Sequence, residues 1–265
     1  SNYCVECTRE NSKKYFQRKK ERQSKIENDN LMKMVLLNGM STNSDGSNAD
    51  GLMKVLMIGS IGVLAETSEL QRQAYNQAFL QHGLDWYWNV ANYCEMLKSP
   101  GGLSRLSNFS NGKVSSDLIN SIHEKKEFFY GKYLENGIAP RDGVLACLEY
   151  CRLEGIRLGF ITTTSHRNVD NLSKALAGHI DFNHFEIKTT KDDVTKAKPD
   201  SEIYSFALNK FGIEPHDAIA IEDTEVNQEA ALQEQILCYL FAGEYAVTQH
   251  NLNAINNLNV AVKPL

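Results

Sequence analysis

The chain has 265 residues, 42% of them hydrophobic, with a formal net charge of −5, which suits a soluble protein that buries one large core or a core with a smaller module beside it. No apolar run approaches the roughly 18–20 residues of a membrane-crossing helix, and no charged-then-apolar leader precedes the first strand. Six cysteines are sparse for this length, which argues against a disulfide framework and for a reducing compartment.

Residues 1–51 read as an extension outside the fold. Between Lys13 and Lys25 stand seven basic residues and one acid, Glu21, and "NGMSTNSDGSNADG" (38–51) has the Asn, Ser, Gly and Asp content of a linker. Cys4 and Cys7 form half a zinc knuckle, but no second pair follows at a workable spacing, so no four-ligand site is expected within the chain. The basic arm reads as a solvated tail or, alternatively, as a contact arm for an acidic partner or nucleic acid; other protein subunits are expected to meet the chain through this arm and the core surface, with weak nucleic-acid contact of residues 13–25.

From Leu52 the pattern turns periodic. "LMKVLMIG" reads as a buried strand, and residues 68–80 as an amphipathic helix with Leu70, Ala74, Gln77 and Ala78 or Phe79 at helical spacing. Further helices follow to about Asn136. "GVLACLEYCRLEG" is a helix closed by Gly155, "IRLGFITTTS" a strand ending in hydroxyls, and "FEIKTT" another strand. "PDSEIYSFALNKFG" is a helix closed by Gly212; "DAIAIED" is a strand ending in two acids, and "NQEAALQEQ", "LCYLF" and a late "NVAVK" complete the alternation. Strand and helix in alternation predict an α/β fold, a doubly wound Rossmann-like parallel sheet, and the helical stretch after the first strand predicts an inserted helical module. The expected organisation is a core over 52–66 and 137–265 with a helical cap over 67–136.

In such sheets ligands bind beyond the carboxyl ends of the strands. Those ends carry Gly59 to Gly62, Thr162 to Ser165, Lys198-Pro199 and Glu222-Asp223. Hydroxyl, lysine and paired acids are what a magnesium-dependent phosphate site supplies, although each alone has a plainer role as strand end, surface charge or helix cap. In this order they resemble the haloacid dehalogenase superfamily, in its helical-cap branch of β-phosphoglucomutase and CbbY-type sugar-bisphosphate phosphatases. "GLDWYWNVANYCEMLKSPGGLSRL" (83–106), "FITTTSHRNVDNL" and "IEDTEVNQEAA" carry further likeness, with Arg105 in the position of a cap arginine that holds a distal phosphate.

The resemblance implies a first motif, D-x-D-G-[VT]-L-x-[DE]-[ST], whose first aspartate is nucleophile and magnesium ligand and whose second is acid and base. Laid without gaps it falls on Gly59 to Thr67, placing glycine and isoleucine, Gly59 and Ile61, at the two aspartate positions. Neither side chain attacks phosphorus or carries a proton. Ser60, between them, is expected to point away from the pocket. Magnesium, the cofactor of active relatives, is expected to be lost, with Lys198 left to the paired acids Glu222 and Asp223. The expectation is therefore a protein that is not an enzyme: a pseudo-phosphatase serving as an accessory, protein-binding subunit of a larger assembly. The alternatives are a non-catalytic sugar-phosphate sensor using Arg105, Thr162 and Lys198, and a residually active magnesium-dependent phosphatase. The resemblance, with a first residue other than Met, points to a plastid stroma; a bacterial cytoplasm is the alternative.

Overall fold

A computed structural model describes residues 53–99 and 101–245. The basic arm, Cys4 and Cys7, and the late strand "NVAVK" lie outside the described residues. No described helix is long and apolar enough to cross a membrane.

Five parallel strands form one sheet in the order β3-β2-β1-β4-β5: β1 (Val55–Ile58), β2 (Arg157–Phe160), β3 (Phe185–Lys188), β4 (Ala218–Glu222) and β5 (Leu237–Leu240). The central strands read "VLMI" and "AIAIE" and are buried throughout, because helices cover both faces of a parallel sheet. Alternate side chains divide between two cores. Leu56, Ile58, Phe160 and Ile221 pack with Cys147 and Cys151 of one helix, α6 (Val144–Leu153), and Val169 and Leu172 of another, α7 (His166–Leu176). Val55, Met57 and Ala220 pack on the other face with Ile203, Tyr204 and Ala207 of α8 (Glu202–Phe211) and Ala230 and Ala231 of α9 (Glu225–Gln233).

Between β1 and α6 stand a single helical turn, α1 (Ile61–Leu64), and four helices: α2 (Ser68–Gln81), α3 (Val90–Leu97), α4 (Gly102–Ser110) and α5 (Ser116–Leu134). These four have their own aromatic core of Tyr75, Phe79, Trp88 and Tyr93 with Leu106 and Ile122. The predicted face of α2 shifts in the structure: Arg72, Ala74, Tyr75, Ala78 and Phe79 are buried, while Leu70 and Gln77 are only partly covered. Arg72 goes inside because its guanidinium donates to the Trp88 carbonyl and to Glu69. The strands are shorter than predicted. β2 stops at Phe160, and Thr162 to Ser165 leave the ladder as a loop. Pairing of Ile58 with both Phe160 and Ile221 brings the ends of three strands level, which gathers the loops after Gly59, Ile161 and Glu222 at one edge.

Candidate functional site

Those loops and the helices above them enclose a cleft of about 420 Å³. Its floor comes from Ser60, Ile61 and Gly62, its walls from Thr162 to Ser165, Lys198 and Asp223, and its roof from Tyr75, Arg105, His123, Lys126 and Glu127. Of the residues singled out in the sequence, Ile61, Arg105, Thr162, Lys198 and Asp223 line this one cleft; Gly59 and Glu222 lie behind it.

Gly59 continues the ladder past β1, its N–H donating to Ile221 O at 2.8 Å. A Cβ built here would land on Glu222 Oε1 and lie 2.6 Å from the Tyr204 hydroxyl. The space a side chain at 59 would enter is thus held by the Glu222 carboxylate, which is fully buried. Its Oε1 accepts from Lys198 Nζ at 2.5 Å and from Tyr204 OH at 2.6 Å, while Oε2 is buried without a partner. Burial, with Asp223 beside it, holds the Glu222 carboxyl above the usual carboxylate range against the pull of Lys198 and Tyr204. Lys198, just before a cis Pro199, spends its other protons on Gly59 O at 2.5 Å and Ile161 O at 2.7 Å.

The two acids therefore part company. Lys198 pairs with Glu222 alone, a correction to the expectation that it would hold both. Successive residues at a strand end point to opposite sides, so Asp223 faces the cleft, where Oδ1 accepts from Asn227 Nδ2 at 3.1 Å and Oδ2 fills the place of a Cβ on Gly62. Ser60 borders the cleft in extended backbone (φ −154, ψ 163) just before α1, with its hydroxyl buried and without a hydrogen-bond partner.

The hydroxyl loop is built by its neighbours. Thr162 N–H donates to Thr189 Oγ1, and Thr162 Oγ1 accepts from Thr164 N–H at 3.2 Å, which leaves its own proton free to donate. Ser165 caps α7 through Asn168 N–H, so the positive end of that helix opens on the cleft. Opposite stands Lys126, 2% exposed. Its ammonium donates to Gln71 Oε1 at 3.0 Å and Glu127 Oε1 at 2.9 Å and lies over the rings of Tyr75 and Tyr130. Burial works against ionisation of Glu127, yet Lys126 holds its carboxyl below the usual range. Sequence reasoning missed Lys126, although the signal existed: it falls on the apolar stripe of α5 with Ile119, Ile122 and Tyr130, where a lysine calls for an explanation. Arg105 is buried, donates to Met96 O and Ser99 O, and lies over Tyr93.

A strap closes the remaining side. Arg141 donates to the carbonyls of Gly62, Phe241 and Ala242 at 2.8 Å each, stacks 3.4 Å from the centre of the Phe241 ring, and pairs with Glu66. The chain then runs to Glu244, whose N–H donates to Glu66, and Tyr245, whose hydroxyl donates to Glu69 Oε2 of α2 at 2.6 Å.

A profile of the haloacid dehalogenase-like hydrolases matches residues 62–240. Protein CbbY of Cereibacter sphaeroides is 34% identical over 203 residues, 75% of this chain and 87% of that one. The chain is a haloacid dehalogenase-like hydrolase of the CbbY branch. Crystal structures of CbbY from Rhodobacter sphaeroides, one of a mutant with xylulose-(1,5)bisphosphate and one with phosphate, superpose with a TM-score of 0.70 at 31% identity, covering 77% of this chain and 92% of theirs. A CBBY-like protein of Arabidopsis thaliana is 26% identical over 227 residues, 80% of this chain and 70% of that one.

Membership in the CbbY branch overturns the expectation that the chain is not an enzyme. Its relatives include a protein named phosphorylated carbohydrates phosphatase, from Thermotoga maritima. The expectation rested on two positions, Gly59 and Ile61, whereas the cleft is also lined by the hydroxyls of Thr162 to Ser165 and the cations Lys126, Arg105 and Lys198. Magnesium is another matter, because the donors do not fit it. Among the described residues no group of three His, Cys, Asp or Glu side chains is placed to hold a metal. Glu222 is bound by Lys198 and Tyr204, and the Ile61 carbonyl already accepts from Ala65 N–H at 3.0 Å, leaving Asp223 as the one strand-end carboxylate facing the cleft.

Proposed function

We propose that this CbbY-like protein recognises a phosphorylated carbohydrate in the cleft and releases phosphate from it by a route without a phosphoenzyme on residue 59. The observation that carries this reading is that a nearly buried cation, Lys126, and the hydroxyl loop line the same cleft. An ammonium held out of water next to one carboxylate suits a doubly charged phosphate better than a neutral ligand. Arg105, with guanidinium donors beyond the two that reach Met96 and Ser99, would hold a second phosphate, as a sugar bisphosphate of the xylulose-(1,5)bisphosphate kind requires. Glycine at 59 supplies no nucleophile. Water is then the attacking group: its oxygen bonds to phosphorus as the phosphorus–sugar oxygen bond breaks, the Asp223 carboxylate accepts its proton, and that proton passes to the leaving sugar oxygen.

The test is calorimetric titration with xylulose-(1,5)bisphosphate, paired with an assay of phosphate release. Binding is expected to weaken by about 10–100-fold in Lys126→Met, the loss of a charge-assisted hydrogen bond. Phosphate release is expected with no phosphorylated peptide spanning Gly59. Absence of both binding and release across sugar mono- and bisphosphates would overturn the reading.

The basic run 13–25 supports a second, compatible reading: this arm meets an acidic partner, as an accessory contact of a larger assembly. Gel filtration of extracts from the native source at low and high salt tests it; a chain that elutes alone at both would exclude it. The relatives come from a plant and from bacteria, compatible with either expected location, plastid stroma or bacterial cytoplasm.

A further inference from the structure

We infer that the cleft binds its phosphorylated ligand without a divalent cation, the positive charge at the strand ends being supplied by the side chain of Lys198. This rests on the proposal that a phosphorylated carbohydrate is the ligand, and goes beyond it in assigning how the site is kept neutral.

The ammonium of Lys198 is 3% exposed and makes three short contacts, to Gly59 O, Ile161 O and Glu222 Oε1. Three donors meet three acceptors, so the cation is fully satisfied by protein oxygens at the ends of β1, β2 and β4. The acceptors are the kind a hard metal ion would want: two carbonyls and a carboxylate oxygen. A magnesium ion at these oxygens would have to displace the ammonium from all three of its acceptors. A buried lysine without partners is costly, and so is a buried carboxylate without one.

The absence of a side chain at 59 fits this arrangement. Glu222 Oε1 stands where a Cβ on Gly59 would be, and the Tyr204 hydroxyl, 2.6 Å from that point, donates to the same oxygen. Glu222, Lys198 and Tyr204 therefore form a closed set that fills the position from inside. Asp223, the one strand-end carboxylate facing the cleft, gives a small, strongly hydrated cation too few charged oxygens to replace its water shell, Glu127 being bound to Lys126 and Glu66 to Arg141. The ligand phosphate instead meets Lys126, Arg105 and the hydroxyl loop, none of which needs a metal to bind an oxyanion.

The experiment uses the full chain, dialysed against chelator. Manganese alone is titrated and followed by its electron paramagnetic resonance signal, and xylulose-(1,5)bisphosphate is titrated calorimetrically in chelator and in millimolar magnesium. The expected result is an undiminished free-manganese signal and a ligand affinity that changes by less than about tenfold between the two conditions. Manganese bound at submillimolar affinity, or a ligand affinity about tenfold or more tighter in magnesium, would overturn the inference. If the sugar bisphosphate binds in neither condition, the ligand reading fails. The manganese arm still decides the metal on its own: signal loss overturns the assignment of the strand-end charge to Lys198, and an undiminished signal upholds that part alone.

Discussion

At the scale of single residues, Gly59 and Glu222 act as one unit. Any β-carbon at 59 must push aside a carboxylate that two hydrogen bonds and complete burial hold in place. Gly59→Ala is therefore expected to destabilise the protein by about 1–3 kcal/mol, as overpacking does in a filled core, read as a lower urea midpoint with an unchanged slope. In a Glu222→Ala background the same substitution should cost less by about 0.5–3 kcal/mol, the coupling typical of residues in contact. Equal costs in the two backgrounds would show that the carboxylate does not occupy this space. For the same reason, Gly59→Asp with Ile61→Asp is not expected to rebuild a metal site unless Glu222 first leaves Lys198.

Among the elements, the strap from Phe241 to Tyr245 is the part local sequence could not announce. It joins the end of the last described strand to the first turn of α2 through Glu66 and Glu69. Glu69 is held down to about 2, from a usual value of 4.5, first by its hydrogen bonds to Arg72 and then by that from Tyr245, with burial opposing. A lowered carboxyl contributes stability above its ordinary value and loses it as pH falls toward the lowered one. Loss is thus expected between about pH 4.5 and pH 2, and Glu69→Gln should flatten the acid branch of stability there while weakening the protein at neutral pH. Glu66 has the opposite sign. Burial raises its carboxyl despite Arg141, so its contribution declines as pH rises above the ordinary carboxylate value. Near-ultraviolet circular dichroism of the cluster of Tyr93, Trp88 and Tyr245, titrated with acid in both proteins, checks the Glu69 prediction; superimposable acid branches would refute it.

For the molecule as a whole, the sheet, the helix closures and the set of strand-end residues were legible because each rests on local periodicity or a local cap. Gly212 closes α8 with φ +65, as its place after an apolar helix implies. What escaped was orientation once the ladder ends. Glu222 turned to a lysine 24 positions away, itself bound to a carbonyl 139 positions away. No window along the chain contains those partners. Lys126 was legible in principle, as a charge on an apolar stripe, and only its partners required the fold.

Arg141 ties together segments that synthesis and folding deliver at different times. Its three carbonyl partners lie 79, 100 and 101 positions away, in the helical turn α1 after the first described strand and just past the last. Contacts so distant along the chain carry a loop-closure cost, as does the pairing of β1 with β2 and β4. The cleft floor, which needs the sheet and then the strap beyond β5, is therefore expected to be completed after the sheet. Recovery of sugar-bisphosphate binding after dilution from denaturant should lag the far-ultraviolet signal of the sheet, and simultaneous recovery would contradict that order. A nascent chain that stops short of its final described strand would lack two of the three carbonyls that hold Arg141, and with them the tie between the cleft floor and the strap.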